Sequence, residues 1–285
     1  MTAGQRLARA VRGAPHALVL LLLVAFSLVP FVWMLTASLE PPIALFTSTP
    51  HLLPHPVTLS NYAGLVHPRE QGVFFPRYFL NSLIVSFSTV ALALLVAVPA
   101  AYAFSRFSFA GRNPLMYTIL LGSIFPGVNF LVPLFILMNA VHLLDTYGSL
   151  ILGYLTFSLP LNIWLLRGFF DGIPPEMEVA ARLDGASVWR AFAEVALPAA
   201  VPGLVATAIY TFILAWDEYL YALAMISSAD MRTLPLGLYA YFNEGSIDWG
   251  GLTATAIGMS IPVVIVFLVL QRYFISALTK GALKY

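Results

Sequence analysis

The sequence has no cysteine, which removes disulfides, thiol nucleophiles and thiolate metal sites from consideration. Charge is nearly as scarce. Only 9% of the 285 residues are Asp, Glu, Lys or Arg, against about 25% in ordinary soluble domains. The two lysines, Lys280 and Lys284, fall in the last six residues, and no Gly-x-x-x-x-Gly-Lys-Ser/Thr phosphate loop is present, so the chain carries no nucleotide site of that type. Nor does it hold a His-Glu-x-x-His metal motif or a Gly-x-Ser-x-Gly nucleophile turn, and it reads as a non-enzyme. The five histidines (His16, His51, His55, His67, His142) lie at span ends or in loops, so no metal site is expected. Basic residues are scattered rather than gathered on one face, which gives no footprint for nucleic acid.

What is present is apolar surface. Sixty per cent of residues are apolar and the mean hydropathy is +0.88, the composition of a polytopic helical membrane protein. The expected fold class is all-α with six transmembrane helices. Apolar runs lie at about Ala17–Ala37, Phe79–Phe104, Leu115–Asn139, Ser149–Phe170, Ala199–Ser227 and Leu252–Ala277, each long enough for a hydrocarbon core of about 30 Å. Arg6, Arg9 and Arg12 before the first run resemble a signal peptide. The run is longer than a signal core and no cleavage pattern follows, so it reads as a retained span.

Lysine and arginine placement sets the orientation. With the N-terminus inside, cytoplasmic segments hold Arg6, Arg9, Arg12, Arg106, Arg112, Arg167, Arg182, Arg190, Arg272, Lys280 and Lys284, and outer segments hold Arg69, Arg77 and Arg232. Both termini are therefore expected inside. Residues 1–16 are expected to form a cytoplasmic N-terminus, 17–37 the first span, 38–78 a proline-rich outer loop, 79–277 the transmembrane core with an inner loop at 174–198, and 278–285 a cytoplasmic tail. A third outer loop, Ser228 to Gly251, mixes charges with Tyr239, Tyr241, Phe242 and Trp249; these aromatics suit interface anchoring or contact with an outer partner equally. Pro99, Pro126, Gly127, Pro133, Pro160, Gly258 and Pro262 interrupt the spans, as kinks whose freed backbone groups neighbours re-satisfy.

The stretch from Pro174 to Pro202 stands apart. With Asp171 just upstream it holds five of the thirteen acidic residues. Pro174-Pro175 suits the first turn of a helix, and Glu176 and Glu178 favour its positive end. Glu178 and Arg182, four apart in the favourable order, share a face. Gly185 is placed to end the helix at positive φ. Ser187 can cap a second helix, with Val188, Trp189, Phe192 and Val195 at helical spacing. Pattern alone leaves an interfacial amphipathic hairpin open.

The order Glu178-Val-Ala180-Ala181-Arg-Leu-Asp184-Gly185-Ala186, followed by Phe192, Leu197-Pro198 and Pro202, resembles the EAA loop of ABC-importer permease subunits. The fit is closest to the carbohydrate-uptake, maltose-permease-G-like branch. Asn81-Ser82, Trp216-Asp217-Glu218 and the tail from Leu278 to Lys284 match in the same order. Val179, Asp217 and Ala277 depart from the usual residues at their positions, alanine, asparagine and glycine. The resemblance implies that Glu178, Ala180, Ala181, Asp184, Gly185 and Ala186 couple to a cytoplasmic ATPase, and that the tail can reach the ATPase pair. It further implies ABC ATPase subunits that bind the ATP (this chain having no cofactor), a second permease subunit in a heterodimer, and an extracytoplasmic solute-binding protein. Polar positions in or near spans are candidates for a substrate pathway: Asn81, Asn129, Trp216, Asp217 and Glu218. A tryptophan beside acceptors suits a sugar; a solvated membrane edge would also explain the acid pair. A self-contained secondary transporter is the alternative, but no internal repeat of the kind such proteins carry is evident.

Overall fold

A computed structural model describes residues 3–41, 53–66, 74–243 and 246–282, with side-chain surroundings for 18–41, 53–66, 74–242 and 247–271. His51, His67, Arg69, Glu244 and Lys284 lie outside the described residues, as do the side chains of Arg6, Arg9, Arg12, Arg272 and Lys280. The chain divides into two compact units, Met1–Phe74 with Ala240–Ser260, and Phe75–Tyr239 with Ile261–Tyr285.

In the first unit, α1 (Ala3–Ser38) is a single helix whose side chains from Leu18 to Trp33 are exposed. Leucine, valine and phenylalanine on every face are what a lipid-facing helix requires. The segment after it is clamped by α2 (Ser60–Val66). Buried Asn61 donates from Nδ2 to the carbonyls of Ser38 and Glu40, both at 2.9 Å, and Thr58 N–H donates to Leu39 O at 2.7 Å. The proline-rich outer loop is thus ordered at 53–66. Elsewhere in this unit a two-residue antiparallel ladder, β1 (Phe242–Asn243) with β2 (Ser246–Ile247), precedes the long closing helix α13.

The second unit holds the core. It comprises α3 (Phe75–Arg106), α4 (Arg112–Ile124), α5 (Leu131–Ala140), α6 (Tyr147–Asp171), α7 (Pro175–Leu183), α8 (Val188–Ala191) leading through a π-helical turn into α9 (Leu197–Ala199), α10 (Val201–Trp216), α11 (Leu220–Met225) and α12 (Leu234–Gly237). The closing helix α13 (Trp249–Ala282) contributes its residues from Ile261 onward. Helices α3, α6 and α10 pack on one another through small residues. Ala93, Ala97 and Ala101 on α3 are fully buried at four-residue spacing. On α10, Gly203 approaches the Phe169 ring of α6, and Thr211 accepts from Asn162 Nδ2 at 2.7 Å. Small side chains and inter-helix hydrogen bonds replace the hydrophobic drive that lipid removes. Threonine hydroxyls turn back on their own helices, as Thr89 does on Val85 O and Thr207 on Gly203 O, which hides them from the apolar surroundings.

Among the described residues four helices are long and apolar enough to cross a membrane: Leu18–Ser38, Phe75–Arg106, Tyr147–Asp171 and Trp249–Gln271. Counting two bent pairs as one span each gives six. The third run, where kinks at Pro126 and Gly127 were expected, is broken outright, and the fifth run is interrupted as well. The third run breaks at Phe125-Pro126 and turns by 100° through a 3-10 turn, Gly127–Phe130. The inner hairpin's return helix, α8 to α9, meets α10 at 70°. The fifth run ends as a helix at Trp216 and restarts at Leu220. By contrast Pro99, Pro160 and Pro262 sit inside unbroken helices.

Candidate functional site

Helix α6 ends at Asp171, and Pro174 then caps α7 with φ −56 and ψ 123. Pro175 occupies the first turn, where a missing N–H leaves nothing unsatisfied. Glu176 and Glu178 follow, with Arg182 in the last turn. Past the C-cap, Asp184, Gly185 takes φ +93. Its N–H donates to Arg182 O at 3.1 Å, and Ala186 N–H to Ala181 O at 3.0 Å, the paired bonds of a Schellman stop. Ser187 Oγ then accepts from Arg190 N–H at 3.2 Å and starts α8. Helix, glycine turn and capped helix form as the residue order dictates.

The hairpin has two unlike sides. Ala180, Asp184 and Gly185 are exposed, Ala181 and Ala186 half-buried, and around them stand Met177, Val179, Leu183 (84% exposed) and Trp189 (75%). Glu178 is buried. Its Oε1 accepts from Arg106 Nε at 2.7 Å and its Oε2 from Tyr102 OH at 2.5 Å. Arg106 Nη2 donates to Ile173 O at 2.9 Å, and Nη1 to Ser105 Oγ at 3.2 Å. Ser105 in turn donates to Asp171 Oδ1 at 2.6 Å. One guanidinium at the end of α3 therefore ties together the end of α6, the linker and α7. Aromatic packing continues the attachment, with ring centroids at 4.6 Å for Tyr102–Phe192 and 5.5 Å for Tyr102–Phe170.

The ion pair of Glu178 is thus with Arg106, not along the helix face shared with Arg182. An exposed i,i+4 pair contributes only about 0.3–0.5 kcal/mol, whereas a short charge-assisted bond away from water is about twice as strong as a neutral one. In sequence Arg106 is one of eleven inner charges and Tyr102 an ordinary span residue. A basic residue at a span's inner end, ahead of an acidic loop, was the one signal available.

The polar positions of the spans are placed at the opposite end of α3. Asn81 is fully buried. It donates to Asp230 O at 2.7 Å and Arg232 O at 2.8 Å, and accepts from Tyr147 OH at 2.7 Å. Both of its donors clamp that segment while its oxygen is held by Tyr147, and Ser82 Oγ assists by accepting from Leu234 N–H at 2.8 Å. Trp216 is buried between Phe212 and Phe79. Glu218 caps α11, accepting from the N–H groups of Tyr221 (2.9 Å) and Ala222 (3.3 Å). Tyr221 OH donates to Gly127 O at 2.9 Å, which brings the exposed Asn129 turn beside α11. Asp217 is exposed at the end of α10. No cluster of three or more His, Cys, Asp or Glu able to hold a metal exists among the described residues.

Residues 89–280 match the family profile described as "Binding-protein-dependent transport system inner membrane component". The chain is 37% identical over 268 residues to the trehalose transport system permease protein of Mycobacterium tuberculosis, covering 92% of this chain and 94% of that one. It is 34% identical over 266 residues to the trehalose/maltose transport system permease protein of Thermococcus litoralis, covering 93% and 94%. A crystal structure of a bacterial ABC transporter involved in importing the acidic polysaccharide alginate contains a chain of the same fold. That match has a TM-score of 0.79 at 24% identity, covering 96% of this chain and 99% of that one. The family is one of transport permeases, and this multi-pass membrane protein belongs to it as an inner-membrane component of binding-protein-dependent transport.

Proposed function

We propose that the chain forms half of the pathway of an ATP-driven sugar importer, with the 174–198 hairpin as its coupling element. The sugar class follows from relatives named for trehalose, maltose and diacetylchitobiose. The chain itself is no enzyme and binds no cofactor; ATP is bound and split by separate ATPase subunits. An extracytoplasmic binding protein delivers the cargo, and a second permease chain completes the pathway as a heterodimer. Both termini and the hairpin face the cytoplasm, in keeping with the lysine and arginine bias. Trp216, Asp217, Glu218 and Asn129 remain the residues proposed near the pathway, with Trp216 and Glu218 holding its wall. Asn81 has no free polar atom for cargo and is assigned to the wall as well.

The observation that carries the coupling role is the set of exposed apolar side chains, Met177, Val179, Leu183 and Trp189, on a polar hairpin. Apolar side chains left in water beside small residues mark a surface made for a partner, and α7's low profile at Ala180 and Ala181 lets a groove close around it. Leu183→Asp should abolish co-purification of the ATPase with the assembled importer while membrane yield of this chain stays unchanged. Retention of the ATPase by that variant would remove the docking assignment.

A further inference from the structure

We infer that Glu178 acts inward, not toward the ATPase, and that Arg106 is a positioning residue which latches the coupling helix to α3. The inference rests on the coupling role just proposed and adds the route by which movement of α7 reaches the other end of the chain's core. Three observations converge on it. Glu178 is the buried residue of α7, while its neighbours are exposed. Both of its oxygens are occupied from within, by Arg106 and Tyr102. The guanidinium engages the hairpin's two anchor points as well, the Ile173 carbonyl directly and Asp171 through Ser105.

The geometry gives this latch a reach. Helix α3 runs unbroken from Phe75 to Arg106. At about 1.5 Å per residue, the 25 positions from Asn81 to Arg106 span about 38 Å. One end grips the coupling helix. The other grips the Asp230–Leu234 segment through Asn81 and Ser82 and packs Phe79 on Trp216. Displacement of α7 is therefore carried by one continuous strut, without passing through a loop. Lysine cannot replace Arg106 here. A single ammonium has the charge but not the planar fork that reaches Glu178, Ser105 and Ile173 together.

The absence of cysteine makes the latch measurable. Spin labels at Glu176→Cys on α7 and Ser108→Cys beyond α3 report the separation of the two elements in the full importer, with MgATP as the only added ligand. The distance should be narrow and the same with and without MgATP. Arg106→Glu should broaden it, make it shift on MgATP, and lower ATP hydrolysis by the complex about tenfold, within the range usual for coupling between two sites. The charge exchange Arg106→Glu with Glu178→Arg should restore both readouts only in part, since it returns the ion pair but leaves the Ile173 carbonyl without its donor. Glu178→Gln, which keeps the shape, should give intermediate broadening. An Arg106→Glu complex with the wild-type distance and hydrolysis rate would overturn the latch. So would a Glu178→Gln complex that loses ATPase affinity at an unchanged distance, since Glu178 would then face the partner. Failure of docking itself shows separately, as an ATPase still bound to Leu183→Asp.

Discussion

Gly185 offers the cleanest perturbation of the hairpin, because its surroundings isolate a single physical term. A Cβ built at this position meets nothing within 4 Å, so substitution introduces no clash. What it introduces is backbone strain at φ +93. A non-glycine residue in left-handed conformation loses about 1–2 kcal/mol, and a β-branched side chain more. If the strain opens the Schellman stop, the two bonds from Gly185 and Ala186 are exposed to water at about 0.5–1.5 kcal/mol each. Gly185→Val should therefore cost about 2–3 kcal/mol of the docking-competent geometry, or roughly 30- to 150-fold in affinity for the ATPase. Asparagine, which tolerates the left-handed region, should fall close to glycine, with alanine between asparagine and valine. The assay is ATPase binding to the purified permease pair across the series, with membrane yield and far-UV circular dichroism as folding controls. Equal affinities for glycine, asparagine and valine would refute the reasoning. So would a loss of yield in parallel with affinity, since the strain would then not be local.

Two further outcomes test the framework around the hairpin. Gly203→Ala places its Cβ 2.4–2.9 Å from Phe169 atoms, so α6 and α10 must separate; overpacking of this kind costs about 1–3 kcal/mol, read as a lower melting temperature in detergent, and an unchanged value would count against the close approach. Asp145 Oδ1 accepts from the N–H groups of Ser227 and Ser228 and from the Ser228 hydroxyl, each at 3.0 Å, and these bonds, the Ser228 N–H first, hold its carboxyl below the usual range. Its contribution is present above the unfolded value and is lost as pH falls through the depressed folded one. Asp145→Asn should melt lower than wild type at pH 7, with the gap closing as pH falls below the usual carboxylate range; a gap independent of pH would exclude this source.

Much of the hairpin was legible because its determinants are local. Pro175, Gly185 and Ser187 each impose a conformation on their own peptide unit, so residue type and order suffice. The six runs were legible as apolar length, but not the breaks within two of them. Pro126 and Pro160 look alike in sequence, yet the first stands at a turn of 100° and the second inside an unbroken helix. The difference is tertiary: Tyr221 holds the Gly127 carbonyl of the broken turn, a partner 94 positions away. Long-range pairing also explains the partner of Glu178. Arg182 is near in sequence, whereas Arg106 is near only once α3 and α6 have packed. Asn81 was legible as polar and near a span, and nothing in the chain before folding reveals that two backbone carbonyls would take both of its donors.

The alanine row on α3 has a mechanical consequence. Ala93, Ala97 and Ala101 keep that face of α3 low and let neighbouring side chains approach its backbone closely. Its polar holds on other segments lie at the extremities, where Asn81 and Arg106 grip them. Such a helix behaves as a rod with a fastening at each tip, obliged to carry whatever either fastening holds.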